Sequence, residues 1–296
     1  MTIKDLSRET GYSVGTISRV LNDQPNVSEK ARKAILAIVE ERGFQLNANA
    51  KNLKQQRSNC IAAVVKGTSN EMFATLVERL QALFASAAHP LIVDFIDEDD
   101  NEVKRAVQLC LERKPMGLMF LGANNCNFLA DFDKIQIPTV VVTNDASHLP
   151  FENLSSVTTD DCKGAACAVE YLLKAGHRSI AVIGGDRSIS DTSALRYRGC
   201  MEAFERCGVP FDEARMYHTG RYNYESGYTG MQEILKNTPE VTAVFAMADV
   251  IAIGAIRAAC DAGKRVPEDI SVIGYDGLKV GDYYCPKLST IAQSLD

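Results

Sequence analysis

The first 46 residues carry apolar side chains at helical spacing, in short stretches separated by turn and capping residues. Thr2 followed by Asp5 is a capping-box pattern that predicts a first helix over IKDLSRET, and Gly11 ends it. Ser13 can cap a second helix, VGTISRVLN. The inward positions of this second helix are predicted to be Val14, Ile17, Val20 and Leu21.

A third helix is predicted over EKARKAILAIVEER, with Ser28 as its N-cap and Gly43 as its terminator. Its inward positions are Ala31, Ile35, Ile38 and Val39. The turn DQPN separates it from the second helix. Helices this short must share one core, so we predict a small all-helical domain over residues 1–46.

Residues 47–59 are polar and rich in amides, which is typical of a linker, although ANAKNLK contains no helix breaker and can form a turn or two of helix. From Cys60 onward, apolar strands alternate with helical stretches. The first run of strands is CIAAVV, PLIVDFI, GLMFLG and PTVVVT, with helices near 70–88, 99–113 and 126–134. The second run is SSVTT, SIAVIGG, MYHTG, AVFAMA and ISVIGYD, with helices near 162–175, 192–207, 224–237 and 249–262. STIAQSLD predicts a last strand.

Strand–helix alternation of this kind predicts parallel sheets with helices on both faces. Two runs predict two sheets, and hence two lobes with a cleft between them. Ligands of open parallel sheets bind at the carboxyl ends of the strands, so we expect a small-molecule site in that cleft.

Charge is distributed unevenly along the 296 residues, of which 46% are hydrophobic. Residues 1–58 hold ten Lys/Arg and six Asp/Glu, which gives this segment a net charge of +4. The net charge of the whole chain is −6, so the remaining residues carry −10. A basic head on an acidic body is the asymmetry expected when the head alone meets a polyanion such as nucleic acid.

Export and membrane insertion are not indicated by the sequence. The N-terminus MTIKDLSRET has charges where a signal peptide needs an apolar segment, and no apolar run approaches the roughly 20 residues of a membrane span. The nine cysteines are odd in number, contain no C-x-x-C and lie in apolar segments. We therefore expect a cytoplasmic protein with reduced core cysteines, rather than a metal or redox site.

Four blocks of the sequence are TIKDLSRETGYSVGTISRVLN, ANAKNLK, ALRYRGCMEAF, and RVPEDISVIGYDG with the following PKLSTI. They are similar to the helix-turn-helix, the hinge helix, the ligand-arginine helix and the C-terminal signature of one family. Through them the chain resembles the lactose/galactose repressor (LacI/GalR) family of bacterial transcription regulators over essentially its full length.

The resemblance implies an all-α helix-turn-helix head joined by a hinge helix to an α/β core of two lobes with parallel sheets, like that of periplasmic binding proteins. The implied head spans residues 1–46, the hinge 47–59 and the core 60–296. Within the core, the first lobe is expected over about 60–157 plus 289–296 and the second over about 158–288. Members usually continue with a further helix and strands, so we expect that the sequence is truncated at its C-terminal end, with a short protein as the alternative.

The second helix of a helix-turn-helix lies in the major groove, with its N-terminal residues against the base edges. Small polar side chains allow this close approach. Thr16 can bond a base edge or touch a thymine methyl, and Arg19 can pair with guanine or hold a phosphate. The head residues implied to bind DNA are Thr2, Tyr12, Ser13, Gly15, Thr16, Ser18, Arg19 and Asn22. The alternative is an ordinary helix of a three-helix packing unit.

Leu53 is an apolar side chain in a polar segment, with Ala50 as its apolar neighbour at helical spacing. By resemblance, Leu53 wedges between base steps in the minor groove and kinks the duplex, beside Ala50, Lys51 and Lys54. The alternative is that Leu53 packs into the core lobe. Because nucleation of so short a helix is unfavourable, we expect the hinge to form when two copies pack together on DNA.

The resemblance also implies an effector site in the cleft, formed by Asn70, Phe73, Thr143, Arg196, Tyr222, Asp249 and Asp276. A forked cation and acceptor-only carboxylates suit sugar hydroxyls, and Tyr222 can stack on a sugar face. Thr143 stands where many members carry Asp, and Ala248 where many carry an amide, which reduces hydrogen-bonding capacity. We expect a sugar or sugar-like metabolite, with a purine or nucleoside as the alternative. The structural alternatives are a surface ion pair for Arg196 and an interlobe or capping role for Asp276.

The sequence thus predicts an effector-controlled DNA-binding repressor without enzymatic activity, cofactor or metal. It contains no G-x-x-x-x-G-K or H-E-x-x-H motif. A stand-alone sugar-binding protein would have similar lobes, but it would need an export signal and no basic head. One head reads too few base pairs to find a site, so we expect a homodimer on a near-palindromic double-stranded DNA operator. The resemblance puts the dimer surface on the first lobe, around helices 70–88 and 99–113.

Overall fold

The computed structural model describes residues 2–21, 24–25, 27–42, 58–67 and 70–294. The chain divides into two compact units, residues 1–57 and 58–296. Asn22 and the predicted hinge residues Ala50, Lys51, Leu53 and Lys54 lie outside the described residues.

Three helices form the first unit: α1 (Ile3–Thr10), α2 (Val14–Leu21) and α3 (Glu29–Glu41). The predicted capping box of α1 is present, Gly11 ends that helix at a φ of 73°, and Ser28 caps α3. Each helix contributes one or two apolar side chains to a small core, which consists of Leu6, Ile17, Val20 and Ile35. The three predicted helices of the head are therefore confirmed.

Val14 does not take the predicted inward position on α2. It is 45% exposed, whereas Ile17 and Val20 are buried. Val14 is the first residue of α2, where the chain has just left the turn at Gly11, and Tyr12 packs against the core on this side instead. The start of α2 thus presents an apolar side chain outward.

The second unit has ten strands and nine helices within its described residues. The strands are β1 (Ile61–Lys66), β2 (Leu91–Ile96), β3 (Gly117–Leu121), β4 (Thr139–Val142), β5 (Leu154–Val157), β6 (Ile180–Gly184), β7 (Tyr217–Thr219), β8 (Ala243–Ala246), β9 (Ser271–Asp276) and β10 (Ser289–Ala292). The helices are α4 (Glu71–Ala85), α5 (Glu102–Arg113), α6 (Asn125–Asp131), α7 (Asp161–Lys174), α8 (Asp191–Arg206), α9 (Glu213–Met216), α10 (Tyr224–Asn237), α11 (Asp249–Asp261) and α12 (Val280–Tyr283). A 3-10 turn covers Phe132–Lys134.

Every predicted strand and long helix of this unit is present, but SSVTT, which was placed in the second run, forms β5 and pairs with β4 in the first sheet. The sequence pattern missed α9 and α12, because four residues are too few to establish a helical period.

The strands form two parallel five-stranded sheets, in the orders β2-β1-β3-β4-β5 and β10-β9-β8-β6-β7. Both sheets have the same topology. The first strand of each sheet in chain order (β1 or β6) has the second strand (β2 or β7) on one side and the remaining three strands on the other. The strand order therefore reverses between β1 and β3 in the first lobe and between β6 and β8 in the second. A reversal of this kind leaves a crevice outside the carboxyl ends of the strands, where ligands bind.

The last strand departs from the predicted lobe boundary. β10 pairs with β9 in the second sheet, with Thr290 opposite Gly274, so the assignment of residues 289–292 to the first lobe is wrong. The side chain of Thr290 also donates a 2.6 Å hydrogen bond to the buried carboxylate of Asp249 on α11. Strand β10 therefore belongs to the second lobe through its backbone pairing with β9 and through the hydrogen bond from Thr290 to Asp249.

Two properties expected from composition have different outcomes. No helix within the described residues is long and apolar enough to cross a membrane. The expectation that the cysteines lie in the core is wrong for most of them: Cys60 and Cys200 are buried, whereas Cys126, Cys167, Cys207, Cys260 and Cys285 are exposed. Apolar neighbours in the sequence therefore did not predict whether a cysteine is buried, because the exposed cysteines lie on the outer faces of helices or in loops.

Helices α10 and α11 cross at two glycines. A Cβ on Gly254 would lie 2.0 Å from the carbonyl oxygen of Tyr224, and one on Gly227 would lie 2.0 Å from that of Ile251. Both contacts are with backbone, which cannot rotate away. We expect Gly254→Ala to force the helices apart and to lower the free energy of unfolding by about 1–3 kcal/mol.

Urea denaturation followed by circular dichroism measures this effect. Gly176→Ala is not a suitable control, because Gly176 has a φ of 102° that disfavours any side chain. Gly15→Ala is suitable, since the added Cβ would meet one side-chain atom at 3.8 Å. If Gly254→Ala were as stable as Gly15→Ala, the close helix crossing would be wrong.

Candidate functional site

A cavity of about 480 Å³ lies between the two lobes, at the carboxyl ends of strands from both sheets. Its volume falls within the range of about 300–1,000 Å³ that is typical of small-molecule sites. From the first lobe it is lined by residues that end or follow β1 to β4, and from the second lobe by residues that end or follow β6, β7 and β9. Most of the residues that line the cavity carry hydroxyl, amide or charged groups.

Six of the seven predicted effector residues line this cavity: Asn70, Phe73, Thr143, Arg196, Tyr222 and Asp276. Asn70 caps α4 by accepting a hydrogen bond from the backbone of Met72, and this fixes the start of the helix that carries Phe73. The ring of Phe73 lies against Gly122, where a Cβ would be 3.1 Å from the ring. Thr143 follows β4 and has a φ of 78°, a left-handed conformation that is unusual for threonine.

Arg196 is buried and is held by several groups of the second lobe. Its Nε donates a 2.8 Å hydrogen bond to Asp161 Oδ1, and another guanidinium nitrogen donates to the carbonyl oxygen of Met247. The guanidinium carbon lies 3.7 Å from the centre of the Tyr275 ring. Burial alone lowers the pKa of Arg196, but Asp161 and the other acidic groups around the guanidinium together more than offset this, so the pKa is raised and the cation is permanent. The predicted alternative of an ion pair is correct in kind, but the pair is buried rather than on the surface.

Asp276 ends β9 beside this arginine. Its Oδ1 lies 3.9 Å from Arg196 Nη2 and accepts a 2.8 Å hydrogen bond from the side chain of Gln293. Burial raises the pKa of Asp276 to about 7, and the opposing effect of Arg196 is smaller. Near neutral pH the carboxyl group therefore has both protonation states available, and it can accept from or donate to a ligand hydroxyl.

Tyr222 lies on the wall between these charges and the cavity. Its hydroxyl group is 2.8 Å from Ser193 Oγ on α8, and burial raises its pKa, so the phenol is neutral. A Cβ on Gly185 would lie 2.8 Å from the Tyr222 ring, which means that the loop after β6 must be glycine for the ring to fit. Tyr222 is thus a fixed aromatic surface on the second lobe, with Phe73 provided by the first.

Asp249 does not line the cavity, which contradicts its predicted place among the effector residues. It is fully buried. Its Oδ2 accepts a 2.7 Å hydrogen bond from the backbone of Leu278, and its Oδ1 accepts one from Thr290. Both oxygens already have partners inside the second lobe, so Asp249 joins α11 to β10 and to the segment after β9.

Sequence analysis missed several charged residues of the site. Asp161, the partner of Arg196, is the first residue of α7. Lys66 ends β1 and pairs at 2.8 Å with Glu102, which is fully buried. The acidic turn DEDD after β2 was visible as a charge run, and it meets Arg221 of the second lobe. Their roles depend on which loops the two sheets bring together, and local sequence does not state this.

A second candidate site lies on the head. Ser13 caps α2, with its Oγ accepting from the Thr16 backbone at 3.1 Å and lying 2.9 Å from the Thr16 hydroxyl. Gly15 and Arg19 are exposed, and Thr16 and Ser18 are partly exposed. Within the described residues, the Arg19 guanidinium has no recorded partner. One face of α2 therefore offers hydroxyl groups and an available cation, while Ile17 and Val20 hold the other face in the core.

The remaining predicted head residues lie beside this face. Tyr12 is partly buried and its carbonyl oxygen accepts a 2.7 Å hydrogen bond from Ser7, which fixes the turn. Thr2 is exposed at the start of α1. Val14 was predicted to be internal, and its exposure at the start of α2 adds an apolar group that suits a thymine methyl.

Comparison with known families and proteins gives matches to both units. Residues 2–47 match the family model described as bacterial regulatory proteins, lacI family. Residues 169–296 match the model described as a periplasmic binding protein-like domain. The HTH-type transcriptional regulator MalR of Clostridium butyricum is 31% identical over 298 residues, covering 99% of this chain and 88% of that protein. The HTH-type transcriptional repressor PurR of Yersinia pestis is 31% identical over 294 residues, covering 99% and 85%.

Solved structures with the same architecture include a lac repressor dimer bound to operator and the anti-inducer ONPF. It has a TM-score of 0.79 and 25% identity, covering 100% of this chain and 88% of that one. A complex of the transcriptional regulator CelR with cellobiose has a TM-score of 0.71 and 26% identity, with the same coverage. The similarity therefore extends over both the head and the core.

Proposed function

We propose, from the premise that the chain belongs to the LacI family of bacterial regulatory proteins, that a neutral polar effector bound in the cavity between the lobes controls its operator affinity. The chain is a DNA-binding transcriptional regulator of the helix-turn-helix type. The observation that carries the proposal is a cavity between the lobes, lined by many polar and charged residues, in the same chain as a basic helix-turn-helix head. An effector shifts DNA affinity only through its different affinities for two lobe arrangements, and a ligand that touches both lobes has such a difference.

The charges around the cavity favour an uncharged effector. Its lining includes three cations, Lys66, Arg196 and Arg221, and five carboxylates, Asp97, Glu98, Asp99, Asp186 and Asp276. The cations of Lys66 and Arg196 already have the buried partners Glu102 and Asp161. A phosphate group would therefore meet an excess of negative charge, whereas sugar hydroxyls can donate to the carboxylates and accept from the amides.

A sugar or sugar-like metabolite is the effector class that this chemistry supports best. The related CelR was solved with cellobiose, and this supports the same class here. A purine or nucleoside is the second candidate, because the rings of Phe73 and Tyr222 both line the cavity and can contact the faces of a flat base.

Homodimerisation on a near-palindromic operator is part of the proposal. Large apolar side chains are exposed on three elements of the first lobe: Leu83 on α4 is 70% exposed, Phe95 on β2 is 49% exposed and Leu111 on α5 is 75% exposed. Leu83 and Leu111 lie on the two helices predicted to form the dimer surface, and Phe95 lies on β2, which is between these helices in the sequence. The lac repressor was solved as a dimer on its operator, which supports the same assembly here. The residues around Leu53 are proposed to contact the minor groove between the two heads.

Titration calorimetry with matched panels tests the effector class. We expect neutral mono- and disaccharides to bind, and their phosphates to bind more weakly than the parent sugars. Asp276→Asn should weaken binding by about 10- to 100-fold, because it removes a charged hydrogen-bonding partner worth about 1.5–3 kcal/mol. Asp269→Asn is the matched control, since Asp269 is an exposed partner of Arg265 on the same lobe and does not line the cavity.

Fluorescence anisotropy on an operator selected from random duplexes then measures whether the bound ligand changes DNA affinity. A nucleoside that binds while every sugar fails would replace the first candidate with the second. A phosphorylated ligand that binds more tightly than its parent, or binding that Asp276→Asn leaves unchanged, would contradict the proposed site chemistry.

A further inference from the structure

A turn of acidic residues on the first lobe meets one arginine of the second lobe. Residues 97–99 follow the edge strand β2, and Arg221 follows the edge strand β7. Arg221 Nε lies 2.7 Å from Glu98 Oε1, and its Nη2 lies 2.6 Å from Asp99 Oδ2 and also contacts Asp97. One guanidinium therefore binds three carboxylates across the cleft, and all four side chains line the cavity.

Both partners are fixed within their own lobes before they meet. The acidic turn is closed by hydrogen bonds of its own, since Asp97 N donates to Asp100 Oδ2 and Asp99 N donates to Asp97 Oδ1, each at 3.1 Å. The backbone of Arg221 donates a 2.9 Å hydrogen bond to Ser226 Oγ at the start of α10. Little backbone freedom is lost when the ion pairs form, so the main entropic cost is that of ordering the side chains.

A second contact between the lobes supports the first. The Tyr224 hydroxyl, at the start of α10, donates to the Glu71 carboxylate at the start of α4. Closer to the middle of the sheets, the lobes meet through three further hydrogen bonds. Asn125 N donates to Asp191 Oδ2 at 2.8 Å, the Asn124 side chain donates to the carbonyl oxygen of Ile189 at 2.8 Å, and Asn144 donates to Thr192 at 3.2 Å.

We propose that Arg221 and the acidic turn Asp97–Asp99 form an electrostatic clamp that holds the two lobes closed around the cavity without an effector. Arg221 is then a positioning residue that sets the resting population of the closed lobes. In its consequence for regulation the clamp rests on the proposed effector control, because a preformed closed state raises apparent effector affinity. The clamp itself requires neither ligand nor DNA.

The size of the effect follows from exposure. Arg221 is 45% exposed and the three carboxylates are between 28% and 63% exposed, so each ion pair alone is weak and screened by salt. Three pairs on one guanidinium are expected to change the ratio of closed to open lobes by about tenfold.

The backbone amide of Asn125 gives a direct measure of closure. Asn125 is the first residue of α6, so its N–H has no partner within the helix, and it donates to Asp191 across the cleft. Hydrogen exchange at this amide, measured on the effector-free full chain by mass spectrometry with single-residue fragmentation, therefore reports opening of the lobes at a place that Arg221 does not touch.

We expect Arg221→Gln to accelerate exchange at Asn125 about tenfold, and salt to accelerate it in the wild type but not in this variant. The combined substitution Asp97→Asn, Glu98→Gln and Asp99→Asn should act in the same way, and it serves if Arg221→Gln does not fold. Arg265→Gln is the matched control, because it breaks an exposed ion pair within the second lobe and should leave Asn125 unchanged. Unchanged exchange in Arg221→Gln, or an unprotected Asn125 in the wild type, would overturn the clamp. Because the measurement uses no effector and no operator, its failure is distinct from failure of the proposed function.

Discussion

Replacement of Arg196 by methionine is expected to lower the free energy of unfolding of the core by about 3–5 kcal/mol. Methionine can fill much of the space but carries no charge. Asp161 and Asp276, each 3% exposed, would then lie buried without the cation that compensates them. Removal of one member of a buried ion pair costs more than the pair contributes, because the remaining charge has no solvent.

Urea denaturation of the core measures this loss as a lower midpoint with an unchanged slope. Arg198→Met is the matched control, since Arg198 lies on the same helix as Arg196 but its side chain is 62% exposed. This substitution should change the free energy of unfolding by less than about 0.5 kcal/mol. The double variant with Asp161→Asn should recover part of the loss, because the unpaired acid is neutralised. Equal midpoints for Arg196→Met and Arg198→Met would show that Arg196 does not stabilise the fold.

This expectation changes how the effector site is tested. The family resemblance assigns Arg196 to the effector, and sequence alone offers no sign that the same guanidinium also binds Asp161 and the Met247 carbonyl. A lost response in an Arg196 variant would combine lost contact with lost stability. Asp276→Asn separates the two more cleanly, because the variant retains the shape of a side chain that is already close to half protonated near pH 7.

Elements with a clear period were predictable from sequence. Strands such as SIAVIGG are uniformly apolar because helices cover both faces of the parallel sheets, and the pattern recovered all ten strands. The failures lie where tertiary pairing decides. Nothing local to STIAQSLD states that β10 pairs with β9, and nothing local to Val14 states that Tyr12 covers the head core in its place.

The site was predictable to the extent that strand ends define it. Asn70, Phe73, Thr143 and Asp276 adjoin predicted strands or the loops that follow them, and parallel topology gathers such loops at one edge. Asp249 meets the same criterion and still lies outside the cavity, because Leu278 and Thr290 satisfy both of its oxygens. Position at a strand end is therefore not sufficient for a place in this site, since the hydrogen-bond partners decide. It is not necessary either, because Arg196 lines the cavity from within α8.

The largest effect on DNA binding is expected from Arg19→Ala. Arg19 is exposed on α2, has no recorded partner within the described residues, and lies three residues beyond Thr16 on the face opposite the buried Ile17 and Val20. An arginine that pairs bidentately with guanine contributes about 1–3 kcal/mol of discrimination. Two heads on one operator double this loss of binding free energy, so operator affinity should fall by about 10²- to 10⁴-fold. Affinity for random duplexes should change far less.

Salt titration distinguishes base reading from phosphate binding. Loss of one phosphate contact per head lowers the slope of log affinity against log salt by about one for each head, whereas loss of a base contact leaves the slope unchanged. Arg8→Ala provides the matched control, because Arg8 is an exposed cation of α1, paired with Asp5, on the same head. We expect Arg19→Ala to keep the wild-type salt slope and to lose operator affinity selectively. An equal loss on operator and random DNA, together with a reduced slope, would instead make Arg19 a phosphate contact and would assign base reading to Thr16 and its neighbours at the start of α2.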